Sequence, residues 1–164
     1  MRTGTAVTIG PCALRPYVGA DEAAAIELWR RTWQATYPGI DFSARLAWWR
    51  ERWRTELVPT CTVMVAETGC GAAGAAAEMV GFVTVDPKTG YLDQIVVAPE
   101  AWGSATATLL LDAAKRIAPA GLDLLVNCDN ARAIRFYEKH GFAVSGKEVS
   151  ARSGAPLYRM SWRG

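Results

Sequence analysis

The sequence predicts an α+β fold, a mixed α/β sandwich whose central, mostly antiparallel sheet has about seven strands and about four flanking helices. Three observations carry this reading. Hydrophobic runs alternate in the order β, α, α, β, β, β, α, β, α, β, β, and that order places a single strand–helix–strand unit among antiparallel neighbours. Short turn signals such as "DPKTG" (86–90) join successive strands without room for a crossover. The 164 residues are enough for one domain with a real core and too few for two, so 1–164 reads as a single domain.

Each element follows from local pattern. "CALRPY" (12–17) reads as a short first strand. "DEAAAIELWRRTWQATY" (21–37) reads as a helix, with Asp21 near its cap and Ile26, Trp29 and Trp33 on one stripe. "FSARLAWWRERW" (42–53) reads as a second helix, entered at Ser43. "CTVMVAE" (61–67) is rich in β-branched residues, and "TGCGAAGAAA" (68–77) has the composition of a loop. "EMVGFVTV" (78–85) and "YLDQIVVA" (91–98) read as strands. A helix begins near Gly103, a buried strand covers "GLDLLVN" (121–127), and "NARAIRFYEKH" (130–140) reads as a helix closed by Gly141. "FAVSGKEV" (142–149) and "APLYRMSWR" (155–163) finish as a hairpin.

Composition excludes several classes. A hydrophobic fraction of 51% with 21% charged residues is that of an ordinary soluble protein. A net charge of +2 without a basic run argues against a nucleic-acid partner. No span approaches the roughly 20 apolar residues that cross a bilayer, and the opening residues lack the continuous apolar region of a secretory signal. The expectation is therefore a cytoplasmic protein without a membrane partner. Cys12, Cys61, Cys70 and Cys128 show no metal-binding spacing, and the chain has a single histidine, so no metal site and no disulfide framework is expected. The sequence leaves a homodimer open.

Chemistry is concentrated in "VVAPEAWGSATATLLLDAAKR" (96–116). Pro99 cannot donate to a ladder, so the strand ends there. The helix that follows exposes backbone N–H groups at its positive end, an arrangement suited to a diphosphate. Gly103, Ser104, Ala105 and Ala107 are small enough to let an anion reach the backbone, and Ser104 and Thr106 offer hydroxyls. Each hydrogen bond to a charged group is worth roughly 1.5–3 kcal/mol, so three or four would anchor a nucleotide. The same small residues would also serve close helix–sheet packing. A dinucleotide-binding turn of the Rossmann type fits poorly, because it needs three glycines and only Gly103 is present.

A second stretch adds to this. Asn130 is a good N-cap for "NARAIRFYEKH", and helical spacing places Asn130, Ala133 and Tyr137 on one face about 10 Å long. Taken alone, Tyr137 reads as a core residue with its hydroxyl bonded to backbone. Together the two stretches resemble the GNAT superfamily of N-acetyltransferases. Val97, Pro99, Gly103 and Ala107 match that family's acetyl-CoA motif. Asn130, Ala133, Phe136-Tyr137 and Gly141-Phe142 match its following motif, and the "LRP" of the first strand and the element order fit as well. The resemblance runs from about Glu78 to the C-terminus. Trp102 departs from the family's usual arginine or glutamine, and Ala105 from its middle glycine. Ala105 is tolerable where it keeps a helical φ. Replacing Trp102 by arginine should improve cofactor affinity unless the indole has its own packing role.

The resemblance implies acetyl-CoA as acetyl donor, held by backbone groups of Ile95, Val96 and Val97 and by the turn Trp102–Ala107, with a backbone N–H polarising the acetyl carbonyl. It makes Tyr137 the acid that protonates the departing thiolate. An amine must be neutral to attack, so a base is needed as well. Strand alternation places Tyr91, Asp93, Ile95 and Val97 on one face, and Asp93 is the preferred base ahead of Glu100, against a solvated or structural aspartate. The acceptor, a primary amine of a small molecule or peptide, is expected to meet Trp29, Trp33, Tyr37 and Gln94, with Glu27 or Glu51 nearby for charge. The spacing of Trp29, Trp33, Trp48, Trp49 and Trp53 equally suits core packing. His140, at a helix end, reads as structural. The reading from another class is a non-catalytic acyl-CoA-binding module, favoured by the Trp102 departure and opposed by the retained Tyr137.

Overall fold

The computed structural model describes residues 12–69 and 76–164. Most of the expected loop at 68–77, and Cys70 within it, therefore lies outside the described residues. Seven strands form two antiparallel sheets. The first has the order β1-β2-β3-β4, from Ala13–Pro16, Thr62–Thr68, Glu78–Val85 and Leu92–Val97. The second has the order β5-β7-β6, from Gly121–Asn127, Pro156–Arg163 and Ala143–Val149. β4 and β5 run parallel and are joined by helix α3 (Thr106–Ile117), the expected strand–helix–strand unit.

Helices cover both faces of the first sheet. Helix α1 spans Glu22–Thr36; α2 spans Leu46–Arg52 and runs on through a π turn, Trp53–Leu57, to Val58–Thr60. Phe82 of β3 meets Trp53 edge-on at 5.2 Å, and Trp49 stacks on Trp29 at 4.5 Å, so α1 and α2 share one face. Alternation turns Gly81 to the other face, where an added Cβ would come within 2.8 Å of the Leu110 side chain. That glycine lets α3 lie close on the sheet. A single buried cluster joins Ala25, Trp29, Trp49, Phe82, Leu110, Leu124, Tyr137 and Met160, so the two sheets share one core.

Local chemistry explains the element ends. Asp41, and not Ser43, opens the second helical segment, its carboxylate accepting from the amides of Ser43 and Ala44 at 3.0 and 3.3 Å. Helix α4 (Ala131–Lys139) starts at Asn130, whose side chain accepts from the Ala133 amide at 3.2 Å. It ends in a Schellman motif: Phe142 N–H donates to the Tyr137 carbonyl and Gly141 N–H to that of Glu138, with Gly141 at φ +89°. Cys12, Cys61 and Cys128 are free thiols. Among the described residues no helix is long and apolar enough to cross a membrane.

Candidate active site

β4 and β5 touch at one end and part at the other. A parallel bridge links Tyr91 to Asp123, with Asp123 N–H donating to the Gly90 carbonyl at 3.0 Å. Beyond it the strands separate around a cleft of about 640 Å³. The register shows which backbone groups this leaves open. Ala98 N–H bonds Val80 O, and Val96 pairs with Phe82, so the amides of Val96 face β3. Those of Ile95 and Val97 therefore point into the gap. The Val97 carbonyl is already engaged, accepting from the Trp102 indole N–H at 2.9 Å and the Thr32 hydroxyl at 3.4 Å. The N–H and C=O of Ile95 and the N–H of Val97 remain for a ligand.

The turn after Pro99 differs in detail from expectation. Pro99–Ala101 forms a 3₁₀ turn, Gly103 sits at φ +80°, and α3 begins at Thr106 rather than near Gly103. Ala105 is the N-cap with φ −71°, so its methyl is tolerated. The two hydroxyls are not free donors. That of Ser104 donates to the Ala101 carbonyl at 2.6 Å, and Thr106 is buried, its hydroxyl 3.0 Å from Ser104 Oγ. Both hold the turn in shape. What the turn presents instead is backbone: among the described residues, the amides of Gly103, Ala105, Ala107 and Thr108 have no partner in the chain. An ideal Cβ on Gly103 would meet nothing within 4 Å, so the space in front of it is open. Several unpaired N–H groups at a helix's positive end suit a diphosphate.

Helix α4 forms the facing wall. Ala133 and Tyr137 line the cleft with Asn130, as helical spacing predicts. Tyr137 is 7% exposed, and its hydroxyl has no hydrogen-bond partner among the described residues. Burial pushes its pKa well above the ordinary phenol value, because the phenolate would lose its solvation. The alternative of a hydroxyl satisfied by backbone is thus not what the fold shows. His140 lines the cleft at the end of α4 and is tied to the fold at both ring nitrogens: Nδ1 lies 2.7 Å from the Phe136 carbonyl and donates to it, and Nε2 lies 3.2 Å from the Thr108 hydroxyl.

Asp93 requires a correction of face. Thr84 pairs with Gln94 but Val85 pairs with Leu92, so Asp93 is the extra residue of a bulge. The bulge breaks the alternation, and the Asp93 carboxylate turns toward α2 instead of sharing a face with Ile95 and Val97. Arg52 grips it with two N–H groups at 2.9 and 2.5 Å, and the Gln94 amide adds a third at 3.0 Å. The Asp93 side chain is 11% exposed and that of Arg52 22%. The hydrogen bonds that Arg52 donates to Asp93 hold the Arg52 pKa above its ordinary value. Sequence reasoning missed Arg52, because its partner is 41 positions away. Glu100 is occupied too, paired with Arg31, whose hydrogen bond lowers the carboxyl pKa.

The acceptor-side residues divide. Trp33 and Gln94 line the cleft. Trp29 does not; it is 4% exposed, wedged between Trp49 and Phe42, and belongs to the core. Trp49 and Trp53 are buried beside it. Tyr37 lines a smaller hollow of about 370 Å³ next to the cleft, its hydroxyl donating to Asp129 at 2.9 Å and accepting from Asn127 at 3.0 Å. Burial, then the Asp129 bond, raises its pKa to about 12. Glu27 pairs with Arg30 on the surface and does not line the cleft. Glu51 is likewise outside the cleft lining.

A splayed pair of parallel strands, an amide-lined turn and the Tyr137 phenol meet on one cleft, the arrangement that the resemblance to the acetyltransferases implies. A profile of the acetyltransferase (GNAT) family matches residues 23–142, and the chain belongs to that family. Its sequence is 29% identical over 131 residues to the peptidyl-lysine N-acetyltransferase YjaB of Salmonella typhimurium, covering 80% of this chain and 83% of that one. The fold superposes on the apo-form solution structure of YjaB from Escherichia coli with a TM-score of 0.72, at 22% identity, covering 94% of this chain and 99% of that one. It also matches the PaiA N-acetyltransferase of Thermoplasma acidophilum, solved in complex with coenzyme A, with a TM-score of 0.68 at 20% identity over 94% and 99% of the two chains. The family's acetyl donor is acetyl-CoA.

Proposed function

We propose that this chain binds acetyl-CoA in the β4–β5 cleft and transfers the acetyl group to a primary amine, by direct attack within a ternary complex. The observation that carries the reading is Tyr137, whose ring is buried while its hydroxyl, without a hydrogen-bond partner among the described residues, opens on the same cleft as the free amides of Ile95 and Val97. Mere binding has no use for such a group.

In this reading the free groups of Ile95 and Val97 extend the sheet by pairing with the amide-bearing arm of the donor. The amides of Gly103, Ala105, Ala107 and Thr108 hold its diphosphate. A backbone N–H of β4 donates to the acetyl oxygen as negative charge develops there. Tyr137, a phenol whose ordinary pKa near 10 already keeps it protonated at neutral pH and whose burial raises that value further, hydrogen-bonds to the departing sulfur. Asp93, with three donors in place on the α2 side, keeps acceptor capacity for the amine's proton through one water. Trp33, Gln94 and Tyr37 shape the acceptor end.

A peptidyl-lysine amine is the first acceptor to test, given the Salmonella relative's activity. The experiment is thiol release from acetyl-CoA with a panel of lysine peptides and small amines, beside thermal shifts with coenzyme A and NAD. Turnover together with stabilisation by coenzyme A is expected. Stabilisation by coenzyme A without turnover on any amine would favour a binding module. A larger shift with NAD would sink the cofactor reading.

A further inference from the structure

The usual cation of the family's turn is missing, because position 102 is a tryptophan. The indole is not idle: its N–H caps the Val97 carbonyl, and the Arg132 guanidinium lies over its ring, 3.6 Å from the centroid. That is well inside the roughly 6 Å reach of a cation–π contact. We propose that Arg132, reaching into the cleft from α4, supplies the cation that grips the diphosphate of coenzyme A, with Trp102 as the platform that aims it. This rests on the cofactor reading above.

Three features set Arg132 apart from an ordinary surface arginine. It lines the same cleft as Gly103, Ser104 and Ala107. It has no carboxylate partner among the described residues, whereas Arg52, on the same cleft, is held by Asp93. It also stands second in α4, in the first turn, where the helix dipole disfavours a cation. The residue is exposed at its edge of the cleft, partial desolvation lowers its pKa, and among the described residues the Trp102 indole is the group that faces its charge. A cation kept in that position is explained by an anion arriving beside it. An arginine fork matches phosphate oxygens in two-point geometry, so the charge absent from one wall is replaced from the other.

The test is calorimetric titration of the full chain with coenzyme A and with 3′-dephospho-coenzyme A. Arg132→Gln should weaken both about ten- to a hundred-fold, the range of a charged hydrogen bond converted to affinity. Its ligand-free melting temperature should hold or rise, since an unfavourable charge leaves the helix start. Arg132→Lys should keep most of the affinity, and Trp102→Arg added to Arg132→Gln should recover part of it. Unchanged affinity in Arg132→Gln, or a lower melting temperature with intact affinity, overturns the inference and leaves a purely structural stack. A loss seen with coenzyme A but not with the dephospho form places the guanidinium on the 3′-phosphate and overturns it as well. No recovery in the double variant refutes the exchange of walls. Failure of the unsubstituted chain to bind coenzyme A overturns the cofactor reading and takes this inference with it.

Discussion

Tyr137→Phe removes one oxygen from a ring that the fold otherwise holds tightly. The ring packs against Phe136 and Phe142 at 5.5 Å in each case, and both contacts survive the change. The hydroxyl has no partner among the described residues, so no hydrogen bond described in the fold is lost and the melting temperature should stay the same or rise. The effect on rate follows from relative acidities. A departing thiolate has a basicity near that of a free thiol, about 8.5, while an ordinary phenol lies near 10. Burial lifts Tyr137 further, so complete proton transfer to sulfur is uphill and much of the assistance comes from the hydrogen bond. General acid catalysis contributes about 10²–10⁴-fold, and water partly replaces a missing donor. A fall in kcat of roughly ten- to a thousand-fold is expected, with the mismatch in acidity favouring the lower part of that range. KM for acetyl-CoA should barely move, since the interaction forms as the bond breaks. The assay is thiol release at saturating amine, with melting curves and coenzyme A titration on the same preparation. Full kcat at unchanged stability would refute the acid role. A drop in melting temperature would show that the hydroxyl is structural.

Gly103→Val forces a β-branched residue to φ +80°, at a cost of about 1–2 kcal/mol, and fills the open space before the turn; the thermal shift with coenzyme A should vanish while the fold persists, and a retained shift would remove the diphosphate from this turn. Asp93→Asn should lower stability by about 1.5–3 kcal/mol by replacing charge-assisted hydrogen bonds to Arg52 with neutral ones, and kcat should fall more than stability accounts for if the carboxylate takes the amine's proton. Full activity in a folded Asp93→Asn confines Asp93 to holding Arg52. Trp29→Ala should cost about 3–5 kcal/mol as a core truncation, whereas Trp33→Ala should raise KM for the amine with a smaller change in melting temperature; equal effects in the two would remove Trp33 from the acceptor wall.

The order of elements was legible because each carries its own period and its own punctuation. Pro99 stops a strand, Asn130 caps a helix and Gly141 closes it, all through bonds within five residues. The bulge at Asp93 was not legible. A six-residue strand with one extra residue shows the same apolar pattern as one without it, and only the partner strand reveals the slip. Trp102 read as a lost charge because its role depends on two distant groups, the Val97 carbonyl and Arg132. Arg132 itself left a faint mark: a cation in the first turn of a capped helix is electrostatically misplaced. Trp29 and Trp33 stand four apart, one helical turn, yet Trp29 is core and Trp33 faces the cleft. Spacing defines a stripe, and which edge of the stripe meets the core depends on α2 lying across it.

This difference follows the two halves of the proposed site. The donor half is made mainly of backbone: open amides on β4, the turn after Pro99 and the cap of α4. Backbone exposure is dictated by where strands and helices begin and end, and those limits are written in local residues. Any ligand that satisfies these groups must be extended along β4 and anionic at the turn, so the donor's shape follows from the fold. The acceptor half is made of side chains from α1, α2, β4 and the β5–α4 loop, brought together across long stretches of sequence. The Arg52–Asp93 pair and the Tyr37–Asn127–Asp129 bonds exist only after those elements pack. No rule of strand or helix geometry requires them, so local pattern does not announce them. Donor chemistry is therefore readable from motifs, whereas acceptor identity has to be read from variants of Trp33, Tyr37 and Gln94.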